Sequence, residues 1–311
     1  MSIALHKLIL RDATRMRAYS SAIKRVTRSG DTVIDLGCGT GIMGFLALKN
    51  GAKKVYAIES GEIIYLAKAL AYENGLAERA VFIHKNSAKA RTPERADLLI
   101  TELMSDFGIV GEGIIPTVCD AKRRLLKRSA RIIPSKLTMM LCPVSAGSVY
   151  SREVVWDSVQ GIKIGYLGKL AQNEIVEIRQ ERIRHLAKVG KLYTVDFART
   201  TSAPEIISCE TLFSITRNGI FHGLKVWFVA ELARGILLDS SKGTHWRPFL
   251  LPVHQPKHLK IGDRVTAKLI IGKSYSNISW YVRIHRNGRE ILSSNSSTVL
   301  SKPKILAKCL S

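Results

Sequence analysis

The chain has 311 residues, 46% of them apolar, enough for two domains with filled cores. No apolar run approaches the ~18 residues that cross a bilayer, His6 and Lys7 interrupt the apolar start from Met1 to Leu10, and Cys38, Cys119, Cys142, Cys209 and Cys309 show no CxxC or Cys/His spacing, so a reduced, cytoplasmic protein without membrane span, signal peptide or metal site is expected. Forty-eight Lys+Arg against 25 Asp+Glu give a net charge of +23, spread over both halves, which suits encounter with nucleic acid, a ribosome or another anionic surface as well as it suits general solubility.

Residues 4–26 place Leu5, Leu8, Ile9, Ala13, Met16, Tyr19, Ala22, Ile23 and Val26 at helical spacing, which predicts one N-terminal helix. Strand-like runs follow at 32–36, 54–58, 80–84, 97–101 and 130–133, with helical stretches at about 42–50, 62–74 and 113–128 between them. This alternation predicts βαβ units and a Rossmann-like parallel sheet in an α/β domain over residues 1–135. Such sheets bind ligands outside the carboxyl ends of their strands, where Asp35, Glu59 and Glu102 all fall. After Pro134-Ser135 the texture changes. Runs at 137–141, 192–197, 211–215, 224–230, 264–271 and 279–284 predict a β-rich second domain, sandwich or barrel, over residues 136–311. A charged, helix-favouring insertion at 168–189 interrupts it.

The most informative stretch is Val33-Ile34-Asp35-Leu36-Gly37-Cys38-Gly39-Thr40-Gly41, followed by Val55-Tyr56-Ala57-Ile58-Glu59. It reads as strand, tight glycine turn, helix, strand, carboxylate. A carboxylate after the second strand can accept both hydroxyls of a ribose. The dinucleotide fingerprint needs a third glycine where this chain has Ile42, so a dinucleotide is not the expected cofactor. Downstream, Glu102 ends the fourth strand and Glu112 follows in the next loop. Paired carboxylates can grip a guanidinium through bidentate, charge-assisted hydrogen bonds, although Glu112 alone reads as a solvated loop acid. Thr244-His245-Trp246 alone reads as a structural histidine beside a core tryptophan. The cluster Lys122-Arg123-Arg124-Leu125-Leu126-Lys127-Arg128 reads as a solvated helix face or as an RNA contact.

The glycine turn resembles motif I of the class I S-adenosyl-L-methionine (SAM) methyltransferases. Together the motifs from His6 to Trp246 resemble the protein arginine methyltransferase family. The resemblance implies a SAM-binding domain, with the turn Asp35, Gly37, Gly39 and Gly41 at the cofactor, and a β-barrel-like substrate domain. It implies that Arg15 binds the SAM carboxylate, Glu59 the ribose and Ser87 the adenine region, where the family usually has an acid. Glu102 and Glu112 are similar to the family's double-glutamate pair, and Thr244–Trp246 to its substrate-lining loop, with His245 paired to Asp12. The implied reaction is SN2 methyl transfer to an arginine of a protein substrate, releasing S-adenosyl-L-homocysteine, with His245 as a proton exit or an interdomain hydrogen bond. The insertion at 168–189 lies where the family carries its dimerisation arm, which implies a homodimer. Three departures stand out: the loop from Glu102 to Glu112 is one residue longer than in the family, its aromatic N-terminal segment has no counterpart in the five residues before His6, and its product-steering methionines are replaced near Ile9 and Ile115. An RNA- or ribosome-directed methyltransferase and a degenerate SAM-binding scaffold are the competing readings.

Overall fold

A computed structural model describes residues 3–179, 181–272 and 277–302; Cys309 lies outside them. The N-terminal segment forms two helices, α1 (Ile3–Arg11) and α2 (Ala13–Val26), in place of the single helix expected over 4–26. Asp12 breaks it. Its backbone leaves the helical region, and its carboxylate accepts the Arg15 N–H at 2.8 Å, capping α2. Helical periodicity runs through this break because a capping residue occupies a position that a continuous helix would also leave polar.

The parallel sheet consists of β1 (Thr32–Leu36), β2 (Lys54–Glu59), β3 (Ala80–His84), β4 (Ala96–Thr101) and β5 (Leu126–Ile133), in the order β3-β2-β1-β4-β5. Helices α3 (Ile42–Lys49), α4 (Ile63–Glu73) and α5 (Ile114–Arg124) connect the strands. Every residue of β1 is buried, as a central strand covered on both faces requires. The helix expected over 113–128 ends at Arg124. Leu125 and Leu126 are both 2% exposed and pull the chain into the core, and the Arg95 guanidinium donates to the Leu126 carbonyl at 2.7 Å and to that of Arg123 at 3.0 Å. The basic cluster therefore does not form one solvated helix face. Arg124 is turned inward to the Ala90 and Ser87 carbonyls and Asp120, and Lys127 and Arg128 lie on β5.

The second half is antiparallel and β-rich. It comprises β6 (Lys136–Ser145), α6 (Gly147–Glu153), the hairpin β7 (Ser158–Val159) and β8 (Ile162–Lys163), α7 (Gly165–Ala171), β9 (Val176–Glu177), β10 (Arg184–His185), β11 (Gly190–Asp196), β12 (Ile207–Ser214), β13 (Gly219–Ala233), β14 (Ile236–Asp239), β15 (Phe249–Leu259), β16 (Arg264–Ile271), β17 (Ile278–Arg286) and β18 (Arg289–Ser297). One sheet has the order β10-β6-β13-β15-β9, with β11 also on β6 and β14 on β13; the other has the order β12-β16-β17-β18. The insertion expected to be helical over 168–189 is helical only at its start, in α7. Beyond it, buried Val176 and Leu186 anchor extended chain to the sheet, with Leu250 opposite Val176 and Ser145 opposite Arg184. Strand pairing overrides the helical propensity of its charged residues.

The apolar core runs continuously from the parallel sheet into the antiparallel one. Phe107 packs on Phe249 with ring centroids 5.8 Å apart, and the Tyr19 hydroxyl donates to the Thr101 carbonyl. The Lys122 ammonium donates to the Phe197, Ala198 and Thr200 carbonyls, each at 2.8 Å, tying α5 to the loop after β11. Among the described residues no helix is long and apolar enough to cross a membrane, and no cluster of His, Cys, Asp and Glu could hold a metal ion.

Candidate active site

The carboxyl ends of β1, β2 and β4 open into a cavity of about 420 Å³, roofed by α1 and closed on one side by the loop at 244–247. Arg15, Asp35, Gly37, Gly39, Glu59, Glu102, Glu112 and His245 line it. Gly41, Asp12 and Ser87 do not. Gly41 ends the glycine turn, Asp12 acts through its neighbours, and Ser87 opens a short 3-10 turn, its carbonyl held by Arg124.

The floor is the turn after β1. Gly37, Gly39 and Gly41 have φ of +71°, +53° and +78°, a backbone that L side chains rarely adopt. A Cβ on Gly39 would also meet the His6 ring at 3.3 Å. Asp35 supports this turn from below, its carboxylate accepting the Gly44 N–H of α3 at 2.8 Å. Burial pushes its carboxyl up to about 7. Glu59 accepts the Gly39 N–H at 3.1 Å on one oxygen and the Gly61 N–H at 2.7 Å on the other. Each carboxylate oxygen has two lone pairs, so both retain a site for a hydroxyl.

Glu102 lies one residue beyond β4. Its Oε2 accepts Arg15 Nε at 2.8 Å and Nη2 at 2.5 Å. The arginine assigned by resemblance to the cofactor carboxylate is thus placed on the first glutamate, and its Nη1 makes long contacts to the Ile9 carbonyl at 3.4 Å and to Met16 Sδ at 3.3 Å. Burial pushes Glu102 up to about 7 against the pull of Arg15. Glu112 is raised by burial and then by the charges of Asp106 and Glu59. The loop between the two glutamates turns at Gly108, whose N–H donates to Ser105, and again at left-handed Gly111.

The 244–247 loop grips that loop from the other side. Trp246 Nε1 donates to the Met104 carbonyl at 2.9 Å, and the Arg247 N–H donates to Asp106 at 3.0 Å. His245 donates its backbone N–H and its Nδ1–H to the same Asp12 oxygen, at 2.8 and 2.9 Å. A carboxylate only accepts, so the proton is assigned to Nδ1 and a neutral ring keeps Nε2 as an acceptor. Burial lowers the His245 pKa more than Asp12 raises it. Burial also works to raise Asp12, but the hydrogen bonds from Arg15 and His245 outweigh it and hold the carboxyl below its ordinary range.

Sequence reasoning passed over His6, Met104 and Asp106 as site residues. His6 is 7% exposed, lines the cavity, and its Nε2 has no hydrogen-bond partner among the described residues. A histidine at the fourth described residue of a helix gives no local signal of this.

A family model described as ribosomal protein L11 methyltransferase (PrmA) matches residues 15–135. The chain is 30% identical over 240 residues to a probable protein arginine N-methyltransferase 6.1 of Oryza sativa subsp. indica, covering 74% of this chain and 62% of the relative. It is 27% identical over 253 residues to a probable protein arginine N-methyltransferase 6 of Arabidopsis thaliana, covering 78% of this chain and 57% of the relative. The chain thus spans about three fifths of the length of these relatives. Among solved structures, the Trypanosoma brucei PRMT1 enzyme–prozyme heterotetrameric complex with AdoHcy superposes with a TM-score of 0.85 at 24% identity, covering 95% of this chain and 98% of that one. Arabidopsis thaliana protein arginine methyltransferase 10 superposes with a TM-score of 0.81 at 21% identity, covering 95% and 97%. These structures share the fold.

Proposed function

We propose that this chain is a divergent, protein-arginine-methyltransferase-like member of the class I methyltransferases and that it transfers a methyl group from SAM to a guanidinium nitrogen of an arginine in a protein substrate. The observation that carries the reading is the presence of Glu102 and Glu112 in the same cavity as the glycine turn and Glu59. The cavity's own residues fit SAM. A glycine cradle without room for Cβ atoms allows close approach of a ligand to the backbone, Glu59 keeps acceptors for a ribose, and His6 Nε2 is a buried polar atom without a partner among the described residues. When bound, SAM supplies a methyl group on a sulfonium centre and leaves as S-adenosyl-L-homocysteine.

The chain's own residues orient the acceptor. Arg15 uses Nε and Nη2 to fix Glu102 and offers Nη1 to the cofactor carboxylate. Glu102 and Glu112 take the substrate guanidinium, whose charge compensates theirs and favours ionisation of both. One guanidinium nitrogen is thereby held in line, and orientation and electrostatics supply most of the acceleration. The proton leaves as the new N–C bond forms, with neutral His245, positioned by Asp12, as its acceptor at Nε2. Residues 1–135 form the cofactor half, and 136–311 a barrel-like substrate half. A cytoplasmic homodimer assembled through the arm at about 168–189 completes the reading.

The test uses methyl-labelled SAM and a cell extract from the source, with Glu102→Gln as the blank. Transfer of protease-sensitive label as methylarginine, lost in Glu102→Gln while SAM binding stays within a few-fold, is expected. Undiminished transfer by Glu102→Gln would remove the guanidinium clamp, and nuclease-sensitive label would replace the protein substrate with RNA.

A further inference from the structure

On the antiparallel half, far in sequence from the carboxylates, the chain builds a second groove of about 780 Å³. Strand β10 pairs with β6 through Arg184 and His185, and the chain then leaves the sheet until β11 rejoins β6 at Gly190. The excursion is pinned to the turn after β12. Ala187 bridges Ile215, and the Leu186 carbonyl accepts the Thr216 N–H at 2.9 Å and the Arg217 N–H at 3.2 Å. Main-chain bonds thus hold Arg184 and Lys188 on one wall and Arg217 on the other.

The chemistry of this groove is one-sided. Arg184, Lys188 and Arg217 are all exposed, none is in an ion pair among the described residues, and no carboxylate lines the groove. Some guanidinium groups elsewhere on the chain pair with carboxylates. Arg124 pairs with Asp120, Arg131 with Asp31, Arg152 with Glu181 and Arg286 with Asp263. Exposed Arg182 and Lys191 extend the basic line at either end. One ring, His185, lines the groove, and Trp227 lies buried behind it. His185 stacks on Trp227 at 5.8 Å, and the Lys225 ammonium lies 4.8 Å from the Trp227 ring centre. Burial, reinforced by Lys225 and Arg217, lowers the His185 pKa, so its half-buried ring is neutral. Unpaired cations beside one neutral ring match a polymer that carries a charge on every unit and a flat ring beside it. An acidic peptide would use the cations but not the ring.

We propose that the groove between Arg184, Lys188 and Arg217 binds the phosphodiester backbone of a single-stranded nucleic acid. The assignment does not rest on methyl transfer. It gives part of the +23 net charge a specific location.

Fluorescence anisotropy of the full chain with a labelled oligouridine of about 20 nucleotides, across a salt series, tests it. The triple variant Arg184→Glu, Lys188→Glu, Arg217→Glu should bind at least about tenfold more weakly at equal salt, and its log–log salt slope should be shallower by about 2. The milder Arg184→Ala, Lys188→Ala, Arg217→Ala variant, with the wild-type thermal midpoint, should show the same direction of change. A control with the same charge change on the parallel-sheet half, Lys24→Glu, Lys49→Glu, Lys53→Glu, should stay within about threefold of wild type. Equal losses in control and groove variants would assign binding to net charge and overturn the site. Groove variants that bind like wild type would do the same. Displacement of the RNA by poly-glutamate at matched charge concentration would replace nucleic acid with acidic polypeptide and overturn the ligand.

Discussion

Replacing Asp12 by alanine tests the joint on which the candidate site is built. The carboxylate accepts three hydrogen bonds, from the Arg15 N–H at 2.8 Å and from the His245 N–H and Nδ1–H at 2.8 and 2.9 Å, and its side chain is 2% exposed. Loss of a helix cap costs about 1 kcal/mol. The two His245 donors, on a side chain 12% exposed, then lose their acceptor, at about 1–3 kcal/mol each when water does not replace it. Asp12→Ala should therefore destabilise the fold by roughly 3–7 kcal/mol, a large share of the ~5–15 kcal/mol available to a typical domain. Asp12→Asn keeps one carbonyl oxygen, enough for the cap or for His245 but not both, and should lose about half as much. The folded carboxyl lies below its unfolded value, so its contribution is complete above the ordinary carboxylate range and is lost as pH falls through the folded value. The difference between wild type and Asp12→Asn should shrink on acidification. Urea unfolding followed by tryptophan fluorescence gives these values, and a cycle with His245→Ala isolates the pair. A loss under about 1 kcal/mol for Asp12→Ala, or a zero coupling with His245, would refute the account.

Two further substitutions probe the frame around the site. Lys122→Ala removes an ammonium that satisfies three converging carbonyls and should lower stability by about 2 kcal/mol; Lys122→Arg should recover little of it, because a planar fork does not meet three acceptors around one nitrogen, and thermal unfolding would show this. Asp35→Asn keeps an acceptor for the Gly44 N–H but carries no charge to bury. With the wild-type carboxyl raised from 3.8 to about 7, its protonated form stabilises the fold fully below the unfolded value, and that contribution is lost as pH rises through about 7. The variant should therefore gain on wild type by up to about 4 kcal/mol at pH 8 and by less than about 1 kcal/mol at pH 4; urea midpoints that move in parallel at both pH values would contradict it.

The legible parts of this chain are those where local pattern and burial coincide. β1, β2 and β4 are continuous apolar runs because both faces are covered, and the carboxylates at their ends follow from the geometry of any parallel sheet. β15 and β18 gave no such signal. β15 contains Pro252 and Pro256, and β18 is rich in serine, its buried Ser294 and Ser296 satisfied by His254 on β15. Their strand character comes from pairing with β13 and β17 rather than from composition. The same holds within the site. The glutamates could be read from position in the chain, but the placement of Arg15 on Glu102, of His6 over Gly39 and of Ser87 outside the cavity depends on how separate elements approach one another.

That approach explains how the loop carrying both glutamates is positioned with so little regular structure of its own. Asp12 caps the helix that bears Arg15, and Arg15 holds Glu102. The same carboxylate holds His245, whose neighbours Trp246 and Arg247 hold Met104 and Asp106. Residues 102–106 are thus clamped from two directions by elements that meet at one side chain. The glycine turn and Glu59 are held independently, by Asp35 through Gly44 and by the Gly39 and Gly61 amides. Two supports that share no residue separate the Glu102 side of the cavity from the Glu59 side. A change at Asp12 therefore acts first on the orientation of Glu102, and a change at Asp35 first on the glycine turn, although both carboxylates support the same cavity.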